Sequence, residues 1–309
     1  MSQGQQQQLT MGRTEWVMLL ALSIVFGGAF FFFEIGVQTF APLTFVWLRV
    51  AGAALLLWLY VLWSRRNLPS SAGAWAALLV QGLFNNVVPF GLIAWAQLTI
   101  DSSLSSILNA TTPLWTVLIV GLVLPDERLT RLKVGGVALG IGGVACMIGV
   151  DAIGGLGGST WVAQLAVVAA AISYGMAGLW GRRFQRWGMD PVVVATGQVT
   201  GASLLLLPVV LFVDPVWLYV GVASSTAWLS VLGIAVLSTA IAYILFFRIL
   251  ATAGATNLSL VTFLVPISAT VLGVGLLGET IGMSHILGAV MIGVALMLID
   301  GRLLRRRIR

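Results

Sequence analysis

The sequence predicts an all-α integral membrane protein: ten transmembrane helices in two inverted five-helix repeats around a central cavity. Three observations predict it. First, ten apolar stretches fill a chain of 309 residues that is 59% hydrophobic and only 8% charged. About 20 apolar residues cross the hydrocarbon core as a helix, and only helices or closed barrels satisfy their backbone there. These runs are uniformly apolar, whereas barrel strands alternate. Second, the basic residues collect on one set of loops. Third, the two halves of the chain match each other in register. A soluble domain carries about 25% charged residues, so no water-soluble surface fits this composition.

The elements follow in order. Ser2 to Thr10 is Gln-rich, which makes 1–13 a disordered tail. No small-residue cleavage site follows the first apolar run, so 15–35 is a retained span and not a signal peptide. The second span, 42–63, begins at Pro42 and ends before Arg65 and Arg66. The third, 74–97, carries Pro89, which frees carbonyls near the membrane centre. The fourth, 102–124, follows Asp101 and is interrupted at Pro113. The fifth, 132–150, begins within the basic run Arg128, Arg131 and Lys133, and Gly135, Gly136, Gly140, Gly142 and Gly143 thin one of its faces. The sixth, 160–180, runs from the loop at Asp151 to Arg182, Arg183 and Arg186. The seventh, 191–213, begins at Pro191 and ends at Asp214. The eighth is 226–248, the ninth is 256–277, ending before Glu279, and the tenth is 284–303, with Gly288 and Gly293. Trp16, Trp63, Trp75, Trp161, Trp187, Trp217 and Trp228 sit at span ends as an interfacial belt. The repeats are 14–151 and 152–303, and 304–309 is a basic tail.

Charge sets the orientation. The net charge of +6 comes from 16 Lys and Arg against 10 Asp and Glu. With the N-terminus in the cytoplasm, every basic residue except Arg49 falls inside, while Glu34, Asp101, Asp151, Asp214 and Glu279 fall outside. Short loops obey this positive-inside rule. The chain is therefore expected in the inner membrane with both termini cytoplasmic. Because the excess sits in loops and tail, its partner is lipid and not nucleic acid. Arg305 to Arg307 would meet anionic headgroups.

The repeat is read from register. Pro42 to Ala53 aligns with Pro191 to Ala202, which sets Arg49 against Gln198. Asn109 to Pro113 aligns with Thr262 to Pro266. Five spans is an odd number, so the second copy enters the membrane from the opposite face. The basic loop Arg128 to Lys133 accordingly becomes Gly282 to His285. Inverted repeats around a midplane axis are a transporter signature.

At these residues the chain resembles the EamA family of the drug/metabolite transporter superfamily. The resemblance rests on Phe26 to Phe30, Pro42 to Arg49, Asn109 to Pro113 and Leu124 to Thr130. In the second half it rests on Ala242 to Ile244, Gly254 to Asn257, Pro266 and Leu277 to Glu279. It implies ten helices in two inverted halves, a central substrate cavity and movement of a small molecule, often export. Phe26 stands where the family usually has Trp.

Arg49 is the sharpest single residue. It lies about 10 Å deep at 1.5 Å per residue. A charge there costs at least ~2.5 kcal/mol and faces a cavity or a partner. Glu34 is the expected partner, as a gate or an ion pair, if the first span continues to about Phe40. One charge opposite the amide of Gln198 suits a zwitterion or neutral solute better than a phosphate. Gln81 and Asn85 share a helical face at i, i+4. With Asn86, Trp95, Asn109, Thr112, Trp115, Tyr243 and Thr262 they are the candidate cavity lining; interhelical hydrogen bonding is the competing role. Pro89, Pro113 and Pro266 are candidate hinges. The glycines of the fifth and tenth spans serve packing within one chain, with a homodimer through those faces as the alternative. Glu127 and Glu279 read as solvated helix-end acids, and no Asp or Glu lies in the middle third of a span.

The expected function is an inner-membrane exporter of a small metabolite, an amino acid or related compound, working by alternating access without a coupling carboxylate. Multidrug efflux or metabolite uptake is the alternative. An intramembrane enzyme would need a nucleophile with a base, or metal ligands, and one His and one Cys do not supply them. No cofactor, metal site or catalytic residue is expected.

Overall fold

The computed structural model describes residues 12–124, 130–148 and 160–300. Helices and their connections account for these residues. The ten segments are α1 (Arg13–Gly36), α2 (Pro42–Trp63), α3 (Ala72–Ala96), α4 (Ser102–Val123), α5 (Arg131–Ile148), α6 (Thr160–Arg186), α7 (Pro191–Val213), α8 (Ser225–Leu250), α9 (Val261–Leu277) and α10 (Met283–Asp300). Seven of them, α1 to α4 and α6 to α8, are long and apolar enough to cross a membrane by length and composition. The clearest boundary difference is in α6, which runs on to Arg186. Arg183 and Arg186 fill its last turn, where cations oppose the negative end of the helix dipole.

Four segments are irregular in the same way. α3, α7, α8 and α9 each contain a π-helical turn, at Leu83–Val87, Val209–Val213, Val236–Ile241 and Gly273–Leu277. Such turns are rare and favour functional sites. α4 breaks between Ala110 and Thr111, and Pro113 is the second residue of its restarted part. Pro89 holds the same position after the α3 π turn. A proline costs little there, because the first turn of a helix leaves its N–H groups unbonded anyway. Pro266, by contrast, lies inside a continuous stretch of α9.

Packing exchanges the two halves. α1 packs on α8 and α9, and α6 packs on α3 and α4; α2 packs on α7, and α5 on α10. Small residues permit these approaches. A Cβ added at Gly27 of α1 would lie 2.7 Å from the Ala269 nitrogen of α9. One at Gly175 of α6 would lie 3.1 Å from the Thr116 nitrogen of α4. Between α5 and α10, a Cβ on Gly288 would stand 2.7 Å from the Gly143 carbonyl. These glycines therefore pack within the chain.

The connections gather at two ends of opposite charge. Gln38 and Thr39, Asp101, Ser224 and Leu277 to Thr280 surround one opening with the end of α1, and Glu34, Asp101 and Glu279 make this end acidic. Arg65 to Ser71 and Trp187 to Asp190 surround another opening at the basic end. A main core containing Phe33, Phe45, Leu108 and Ile234 lies between them, and a smaller one surrounds Leu19, Leu22 and Ile249.

Candidate functional site

The π turns place a polar cluster where α2, α3, α7 and α8 meet. Arg49 on α2 is only 5% exposed. Its guanidinium lies 3.6 Å from the ring centre of Phe90 and 5.2 Å from that of Phe33. A cation over a desolvated ring face is attracted by about 2 kcal/mol. Arg49 Nε donates to Thr239 Oγ1 at 3.0 Å. Thr239 donates in turn to the carbonyl of Ile234 at 2.8 Å, five residues back, which is the spacing that the π turn opens.

The opposing half-site is built on Gln198 of α7. Its Nε2 donates to the Tyr243 hydroxyl at 2.7 Å, and its Oε1 accepts from Asn85 at 3.3 Å. Asn85 and Asn86 also donate to that hydroxyl, each at 3.4 Å. Asn86 is fully buried and its Oδ1 has no partner. The two half-sites correspond: Gln198 is the repeat counterpart of Arg49, Asn86 of Thr239, and Tyr243 of Phe90. One half-site presents a cation on an aromatic face; the other presents amides and a phenol.

The same family pattern matches this chain twice, over residues 14–149 and 161–300, and it is that of the EamA-like transporter family. The chain belongs to the EamA-like transporter family. It is 28% identical to the inner membrane transporter YedA of Escherichia coli K12 over 271 residues, covering 85% of this chain and 83% of YedA. It is 24% identical to the transporter YoaV of Bacillus subtilis over 278 residues, covering 89% and 92%. A protein of known crystal structure, 20% identical, covers 96% of this chain and 100% of its own at a TM-score of 0.64, a likeness in fold.

Within this EamA fold the remaining candidates separate from the cluster. The Glu34–Arg49 ion pair does not form. α1 ends at Gly36, which packs against the ring of Phe45, so Glu34 stays in the last turn while Arg49 lies deeper. Glu34 instead accepts from Gln97 Nε2 at 3.2 Å. Gln81 is buried but faces α6 beside Gly181, because the π turn starting at Leu83 carries Asn85 off the shared face. Trp95 is 44% exposed on the bundle surface. Thr112 bonds back to the Asn109 carbonyl at 2.7 Å, and Trp115 donates to Thr111 at 3.1 Å. Thr262 lines a separate, mainly apolar groove with Ile107 and Pro266. The expectations on Glu127, Arg128, Asp151 and Arg305 to Arg307 lie outside the described residues.

Phe90 and Phe33 are contacts that sequence reasoning missed. The available signal was the repeat itself, since Phe90 aligns with the selected Tyr243.

Both ends carry ties across the halves. At the basic end Arg66 and Asp190 form the salt bridge recorded among the described residues, and it holds the Arg66 guanidinium above its ordinary pKa. At the acidic end Thr44 donates to an Asp214 carboxylate oxygen. Tyr219 donates to Asp214 at 3.0 Å and accepts from the Ala41 N–H at 3.1 Å. Glu279 is not a solvated acid. It accepts from the backbone N–H groups of Ser102 and Ser103 at 2.9 and 3.0 Å and from both hydroxyls. It thus caps α4 from a distant part of the chain. Burial first, and then the Glu279 charge, push the Asp101 carboxyl above its ordinary value, while His285 opposes them.

Proposed function

We propose that this chain is a carrier that exports a small metabolite, an amino acid or related zwitterion, across the inner membrane by alternating access. In this reading the two five-helix halves are inverted copies, the basic end faces the cytoplasm, and both termini are cytoplasmic. The observation that carries it is the pairing of repeat-related half-sites, Arg49 with Thr239 and Gln198 with Asn85, buried between the halves. A substrate carboxylate fits Arg49, and an ammonium fits the unpartnered Asn86 Oδ1.

Inversion is supported by direction and by packing. α1 ends beside the acidic opening, whereas α6 ends beside the basic one. Ser238 of α8 donates to the Val25 carbonyl of α1, and Ser173 of α6 donates to the Phe84 carbonyl of α3, both at 2.7 Å. These contacts join corresponding helix pairs with the halves exchanged, one residue apart and with donor and acceptor interchanged. Alternating access then consists of opening the ties at one end while those at the other stay closed. With no carboxylate in the middle third of a span, the carrier works without proton coupling.

Flux of labelled amino acids into proteoliposomes, with and without a pH gradient, tests this. Saturable, gradient-independent flux is expected. No flux of any amino acid removes the substrate assignment, and strong gradient dependence removes the uncoupled mechanism. Val222→Cys, at the acidic end, should react with an impermeant thiol reagent on whole cells; reaction only after lysis would reverse the orientation.

A further inference from the structure

The ties at the two ends of the α2–α7 pair correspond to each other through the repeat. Ala41 and Asp190 precede the paired prolines, Pro42 and Pro191, and each is the N-cap of its helix. Each is held by residues that follow the C-terminus of the partner helix. At the acidic end the Ala41 N–H donates to the Tyr219 hydroxyl, which donates to Asp214. At the basic end Asp190 accepts from Arg66. α2 lies in the first half of the chain and α7 in the second, so both ties join the halves.

Salt acts on the two ties differently. The basic one is an ion pair whose side chains, Arg66 and Asp190, are 37% and 27% exposed. Mobile ions screen such a pair, the screening length falling from about 30 Å at 0.01 M salt to about 3 Å at 1 M. Arg65 lines the same opening, so anions are drawn there and compete for Arg66. The acidic tie contains no salt bridge among the described residues. Its Asp214 carboxylate accepts from two neutral hydroxyls, those of Thr44 and Tyr219. Thr44 is fully buried, and the buried Phe40 ring packs against Tyr219 with ring centres 5.0 Å apart. Hydrogen bonds in a partly buried site are screened much less.

We propose that Arg66 and Asp190 form an ionic-strength-sensitive latch, through which salt releases the basic end while the acidic end stays closed. Rising salt thus shifts the protein toward the conformation open at the basic end. This rests on the carrier reading in one respect, that these ties are what opens and closes. The latch is separable from the fold. One Asp190 carboxylate oxygen accepts from the Val192 N–H at 2.8 Å and caps α7, while the other holds Arg66. Asn caps a helix as well as Asp does. The contacts beside the latch, among Ala77, Leu78 and Phe184, are apolar and carry no charge to screen.

The test measures spin-label distances on the full chain in nanodiscs of uncharged lipid, with Cys146→Ser removing the native thiol. Labels go on exposed residues of opposite halves: Ser70→Cys with Gln185→Cys at the basic end, and Gln38→Cys with Thr226→Cys at the acidic end. Between about 0.02 and 0.5 M potassium chloride the ratio of open to closed distances at the basic end should rise about two- to fivefold, the range of an exposed ion pair. The acidic-end distances should not open. Asp190→Asn and Arg66→Gln should each open the basic end to that extent already at low salt and respond no further, whereas Arg66→Lys should keep the response. A basic end that ignores salt, a response that survives Asp190→Asn, or opening of the acidic end instead overturns the latch. A salt response without any amino-acid flux leaves the latch standing and removes the carrier reading. Intact flux with a salt-blind basic end does the reverse.

Discussion

Arg49→Gln separates a guanidinium held for substrate from one held for structure. In the folded protein the charge gains about 2 kcal/mol from the Phe90 ring face. Its Thr239 hydrogen bond adds about 0.6 kcal/mol, the average for such bonds in a bilayer. Against these stands the cost of placing a charge at that depth, at least ~2.5 kcal/mol. The two sides nearly cancel. Gln retains a donor within reach of Thr239 and leaves no charge to desolvate, so thermal unfolding of the variant in detergent should match wild type within about 1 kcal/mol. Function should not survive as well. A charged hydrogen bond to a substrate carboxylate is worth about 1.5–3 kcal/mol, which raises the half-saturating concentration about ten- to hundredfold. The assay is amino-acid flux in proteoliposomes, normalised to folded protein, at several substrate concentrations. A large fall in unfolding temperature with unaltered flux would refute the reasoning, because Arg49 would then be a packing residue.

Three further outcomes follow from the packing and the acidic end. Gly82→Ala would place a Cβ 2.8 Å from the Ala202 nitrogen, and forcing α3 off α7 should cost about 1–3 kcal/mol in chemical or thermal unfolding. Gly73→Ala, with open space around it, is the control, and equal losses in both would sink the close-approach argument. Glu279→Gln should weaken the α4 cap by about 1 kcal/mol and speed hydrogen exchange at the Ser102 and Ser103 amides; unchanged exchange would show that the cap is not held by charge. Asp101 binds its proton more tightly folded than unfolded, so it should destabilise the fold as pH rises through the ordinary aspartate range. Asp101→Asn should remove that loss, which sets in above about pH 4, and identical pH profiles for the two proteins would refute it.

Much of the architecture was legible because its determinants are local. Span length and loop charge are read residue by residue, and α2 begins and ends at the predicted Pro42 and Trp63. The register of the repeat also set Arg49 against Gln198, and in the structure Arg49 bonds Thr239 while Gln198 bonds Tyr243. What failed depended on rotation about a helix axis or on distant chain. The Gln81–Asn85 face assumed an unbroken α-helix, and apolar periodicity carries no mark of the π turn at Leu83–Val87. The Glu34–Arg49 pairing assumed that α1 continues, yet Gly36 ends it against Phe45. The Glu279 cap was invisible because its donors, Ser102 and Ser103, lie far away in sequence.

The π turns connect architecture to mechanism. Those in α3 and α8 fall at corresponding places in the repeat, and each contains the residues that meet the opposite half: Asn85 and Asn86 in α3, Thr239 in α8. A π turn leaves the helix with one residue more than regular winding requires, so it can return to α-helix by a local change of winding without unfolding. Such a change rotates every side chain beyond it. In α8 it would swing Thr239 away from Arg49, and in α3 it would swing Asn85 and Asn86 away from Gln198 and Tyr243. The two half-sites would thus change partners by equivalent motions in opposite halves. The proposed carrier, with two inverted copies, would need that property, because the motion that opens one end must have a counterpart that opens the other.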